Sequence, residues 1–215
     1  MKARTFLIIL LTSLVLPGCL VKSLHPFYTD KDLIYKQELT GIWIDADSSV
    51  WEIRQHQKMS GIMKPGYPDR AYDITFTDNK GSSKFLAHLF QLGGQLYLDF
   101  LPTEISCGND LVGYHLVGTH SLARVVLAGG MITIRWYNEE WLLSLFNNNR
   151  IRISHERVPW NPDQPDPESD QIVLTASTAE LQKFIIKYGN DPNAFRQSKT
   201  GENSAIMVVL SKVKN

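Results

Sequence analysis

From residue 71 onward, apolar and polar side chains alternate along the chain. In "AYDITFTD", Tyr72, Ile74 and Phe76 fall on one face, and Asp73, Thr75 and Thr77 on the other. A half-buried strand has this period of two. "NKG" at 79–81 reverses the chain, "KFLAHLFQ" returns it, and "LGGQ" turns it again. In the "QLYLDFL" that follows, Leu96, Leu98 and Phe100 oppose Tyr97 and Asp99. These runs predict a meander of three antiparallel strands joined at glycine-rich turns. Further strands are expected at 115–119, 122–127, 131–137 and 151–157, with "AGG" at 128–130 as another tight reversal. "LTGIWID" and "SVWEIRQ" predict an earlier hairpin, and "SAIMVVL" a closing strand. The polar, Gly- and Pro-containing "QKMSGIMKPGYPDR" reads as a long loop.

Two segments switch to a helical period. "NEEWLLSLFNNN" offers Asn138 as N-cap, with Glu139 and Glu140 in the first turn, where carboxylates meet unsatisfied N–H groups. In "STAELQKFIIKYGN", Ser177 and Glu180 have capping-box spacing. Leu181, Phe184, Ile185 and Tyr188 share a face, and Gly189 ends the pattern. That stripe must cover something apolar, the sheet or an open barrel end. Between the last central strand and this helix runs "VPWNPDQPDPESDQ", whose prolines mark an exposed connection. The expected fold is mainly β, an antiparallel β-barrel or strongly curled sheet of about eight to ten strands with a C-terminal helix packed on it. A two-sheet β-sandwich is the alternative.

The first twenty residues have a different character. Lys2 and Arg4 precede the apolar run "FLIILLTSLVL", which Pro17 and Gly18 stop. The run is shorter than the ~20 residues that span a bilayer, and its three-part layout is that of a secretory signal. Leu16-Pro17-Gly18-Cys19 resembles the lipobox of bacterial lipoproteins, with Pro17 departing from the Ala, Ser or Thr more usual there. The resemblance implies removal of residues 1–18, a diacylglycerol on the Cys19 thiol and acylation of the new amino terminus. It implies a cell-membrane location. Leu20, in place of the Asp that retains many such proteins at the inner membrane, points to the outer membrane in a Gram-negative cell. Residues 19–38 then read as a lipid-anchored tether that ends by docking, and residues 39–215 as one β-rich domain. Removing residues 1–18 leaves 20 basic and 22 acidic side chains, with no basic footprint for nucleic acid. Cys107 has no intrachain partner once Cys19 is acylated, so no disulfide framework is expected.

Gly41-Ile42-Trp43, where the first strand of the body opens, resembles the Gly-x-Trp signature of lipocalins and related calycin barrels. The resemblance implies that Trp43 plugs one end of an eight-stranded barrel, and that the fold accommodates a small apolar ligand. A helix at 138–147, between strands, departs from the family pattern.

Candidate chemistry is sparse. Six histidines are present, but none has the spacing of His-Glu-x-x-His or of paired cysteines. His88, His115 and His120 would converge with Asp99 only across neighbouring strands. There is no Gly-x-Ser-x-Gly, and Glu104 and Asp110 near Cys107 disfavour a thiolate. No catalytic residue, metal or cofactor is expected. Trp160, between Pro159 and Asn161, is the aromatic most available to a partner. The expected function is that of a membrane-anchored, non-enzymatic binding, interaction or scaffold domain facing the periplasm or cell exterior. Its partners would be the membrane, through Cys19, and an envelope protein, glycan or apolar ligand. A lipocalin-like carrier is one alternative; an envelope enzyme or metal-binding protein is another.

Overall fold

The computed structural model describes residues 20–57, 70–104, 115–159, 163, 171–196 and 207–213. In chain order the strands are β1 (Lys22–Ser23), β2 (Gly41–Ile44), β3 (Val50–Gln55), β4 (Ala71–Asp78), β5 (Gly81–Leu92), β6 (Gln95–Pro102), β7 (His120–Ala128) and β8 (Met131–Trp136). Helix α1 (Glu139–Asn147), β9 (His155–Val158), β10 (Gln171–Leu174), α2 (Thr178–Tyr188) and β11 (Met207–Lys212) complete them. Strands β2 to β8 pair antiparallel, each with the next, β11 joins β8 to β2, and β11 runs antiparallel to both. The result is a closed, up-and-down, eight-stranded barrel, which leaves no unpaired edge in the ring. The sandwich is thereby excluded.

The turns follow their residues. Gly93 and Gly94, like Gly129 and Gly130, all have positive φ, as two-residue hairpin loops that match strand twist require. The alternation in β4 and β6 is observed as expected, with Tyr72, Ile74, Leu98 and Phe100 in the barrel core and Asp73 exposed. Helix α1 starts at Asn138, whose side chain accepts from the Trp141 N–H, and α2 carries the full Ser177–Glu180 capping box.

Two cores result. The first fills the barrel with Trp43, Trp51, Ile53, Tyr72, Phe100, Trp136 and their neighbours. The second lies outside the wall, where Phe90, Tyr97 and Leu122 of β5–β7 meet Leu142, Leu145, Leu181, Phe184 and Ile185 from the two helices. Helix α2 therefore packs on the outer wall through the stripe read from the sequence, with Tyr188 partly buried beside it.

The segment read as a tether is part of this second core. Val21, Phe27 and Leu33 are buried there, β1 pairs with the start of β7 and with β10, and Leu33 bridges Phe90. The chain then closes one barrel end through a 3₁₀ turn at Gln37–Leu39. Two strand expectations need correction. Residues 115–119 lie outside any strand, because Leu116 and Val117 are exposed and offer no apolar face. At 151–157 only His155–Val158 is strand. The alternating Ile151 and Ile153 instead belong to an irregular stretch packed on the outer core.

Candidate functional site

The barrel axis is occupied by the protein's own rings. At the end closed by the 3₁₀ turn, Trp43 is buried and its Nε1–H donates to the Leu39 carbonyl at 2.9 Å. From the last strand, Lys212 sets its ammonium over the indole, 5.2 Å from the ring centre. Gly41 makes this possible: a Cβ there would lie 2.7 Å from Lys212 Cε, and its φ of +141° suits glycine alone. Tyr35 stacks on Tyr72 at 5.2 Å, and the Tyr72 hydroxyl accepts from Lys36 N–H at 2.7 Å. Burial pushes that phenol up to about 12, so it remains a neutral hydrogen-bonding group.

Toward the other end the interior holds further rings. Trp51 packs on Phe76 at 4.8 Å, and Phe100 lies between Phe85 at 6.0 Å and Trp136 at 4.8 Å. Phe76 and Phe85 keep part of their surface in solvent. An open groove of about 590 Å³ lies on the outer wall of β2–β4, bordered by Gln37, Thr40, Ile42, Glu52, Arg54 and Asp73. Arg54 pairs with Glu52 there, and His56 Nδ1 lies 2.8 Å from Asp73 Oδ1. Its lining suits a polar, hydrogen-bonding partner better than an apolar one.

A third constellation is buried in the outer wall. Asp99 is 0% exposed and holds His120 Nδ1–H at 2.6 Å with one oxygen. Its other oxygen accepts the Phe27 backbone N–H at 2.9 Å. His88 stands opposite Asp99 in the β5–β6 register, 2% exposed, with Tyr28 stacked on its ring at 4.5 Å. Burial pushes His88 down to about 4, with His120 and His56 adding to the effect and Asp99 opposing it. His88 is therefore neutral at physiological pH. The cluster fastens the N-terminal segment to the wall through Phe27 and Tyr28.

Thus His88, His120 and Asp99 come together across β5, β6 and β7, whereas His115 is exposed and outside the strands. Among the described residues, no group of three or more His, Cys, Asp or Glu side chains is arranged to hold a metal ion. Cys19, Cys107 and Trp160 lie outside the described residues, as do the signal segment at 1–18, the loop at 58–69 and most of the proline-rich connection. The sequence reading missed the Lys212–Trp43 contact and the outer-wall groove, since neither has a local motif. No family model matches the chain, and neither does any curated protein or solved structure at a significant level.

Proposed function

We propose that this chain is an envelope lipoprotein, held to its membrane by lipid on Cys19, whose barrel works without catalysis as a binding or scaffold domain. Two observations support the reading. The charged start, short apolar run and Leu16-Pro17-Gly18-Cys19 supply the export and anchoring pattern. The observation that carries the binding mode is the filled barrel: Trp43, Trp51, Tyr72, Phe100 and Trp136 occupy its interior, while the groove faces outward. A partner then meets the outside of the wall. The domain faces the periplasm or cell exterior, on the outer membrane of a Gram-negative cell.

One observation favours a second reading, that of a carrier. Phe76 and Phe85 are partly exposed, and apolar rings at a barrel mouth suit a small apolar ligand. Native mass spectrometry of the gently purified, delipidated domain separates the two. The scaffold reading predicts the mass of the bare protein. A small apolar molecule bound near one-to-one would overturn it in favour of the carrier.

A further inference from the structure

Lipid anchors usually act through whatever length of chain lies between the acylated residue and the fold. Here that length is close to zero. Leu20 already bridges Asn138, Val21 is buried in the outer core, and Lys22–Ser23 is strand β1. Consecutive Cα atoms are about 3.8 Å apart, so the Cys19 backbone is within one residue step of a fixed position on the wall.

The same stretch has two unlike faces. Val21 and Ser23 point into the core, while Leu20, Lys22 and Leu24 take the alternate positions, with Leu20 36% and Leu24 45% exposed. Register carries this outer face onto β10 and β9. Lys22 pairs with Val173, Gln171 pairs with Val158, and Val158 is 46% exposed, while Ile172 and Leu174 face the core. An apolar surface with one lysine therefore begins at the residue after Cys19 and extends across three strands. Lys22, hydrogen-bonded to Gln171, carries a charged head on an apolar stem, the form of side chain that suits a headgroup layer.

We propose that the free face of β1–β10–β9, through Leu20, Leu24 and Val158, seats directly on the bilayer that holds the Cys19 lipid. The domain then has one fixed orientation on its membrane. This rests on the anchoring reading above, because without lipid on Cys19 nothing brings this face to a bilayer. The occupant is a lipid surface because the anchor enters the membrane within one residue of the patch.

The test uses the full acylated chain, with Cys107→Ser and single cysteines introduced at Leu24, Val158, Ile44 or Glu38. Each is labelled with bimane on vesicles of phosphatidylethanolamine and phosphatidylglycerol. Ile44 lies on a different exposed stretch of wall, and Glu38 in the 3₁₀ turn at the barrel end. Iodide quenching should fall several-fold at Leu24 and Val158, compared with the unacylated Cys19→Ser chain in solution, and stay unchanged at Ile44 and Glu38. Equal quenching at all four sites would mean an anchored domain that is not seated. Protection at Ile44 alone would place another face on the bilayer. Protection at Leu24 that persists in the Cys19→Ser chain would point to a second copy of the protein. Each of these overturns the proposal. An unmodified Cys19 in the intact mass would instead remove the anchoring reading, and this one with it.

Discussion

Trp43 is held by the Leu39 carbonyl on its edge and the Lys212 ammonium over its face. Replacing it by alanine opens a large void at the closed end, at an expected cost of about 3–5 kcal/mol. Gly41→Ala acts on the same contact by another route. It forces a side chain into a backbone conformation that only glycine favours, and it presses on Lys212, at a cost of roughly 1–3 kcal/mol. Urea unfolding of both variants checks these values, and a loss under about 0.5 kcal/mol for Trp43→Ala would mean that the indole is not a plug. His88 predicts a pH dependence. Unfolded, it takes a proton near its ordinary value of 6.5; folded, only near 4. Between these values the unfolded state binds the extra proton, so stability should fall as the pH drops from 6.5 towards 4. The limit of this effect is of order 3 kcal/mol. His88→Gln should lose less stability than the wild type between pH 7 and pH 4.5. An equal loss in both chains would remove His88 as the cause.

At the scale of elements, helix α2 is the clearest case. Phe184 packs among Tyr137, Trp141 and Tyr188, and Phe184→Ala should cost about 3–5 kcal/mol by thermal or urea unfolding. A loss under about 1 kcal/mol would make the helix peripheral. Ser177→Ala removes the cap oxygen that accepts from Glu180 N–H and should cost about 1 kcal/mol. Both helices and the central meander were legible because their periodicities are long and their turns and caps carry the required residues. Strands β1 and β10, of two and four residues, were not, since so short a run has no period. The run "FLAHLF" held a signal that alternation hides. In β5, residues 86–90 are buried on both faces, as a strand covered from inside and outside must be. That was the trace of the helices lying on the outer wall.

At the scale of the whole molecule, the barrel encloses one core and supports a second, and the N-terminal segment belongs to the second. A tether was the natural reading of Pro26 and the polar stretch after it, because sequence alone does not reveal that Val21, Phe27 and Leu33 find places in a distant core. The plug at Trp43 was legible from Gly-x-Trp; its lysine, 169 positions later, was not. The convergence of His88, Asp99 and His120 depended on strand register, which spacing alone leaves open. The central claim, that the barrel is tied to a membrane at Cys19, is tested most directly by the mass of the N-terminal peptide from the protein in washed membranes. The account predicts a chain that begins at Cys19 and carries a diacylglycerol on its thiol; a peptide with an unmodified Cys19, or one still carrying residues 1–18, would contradict it.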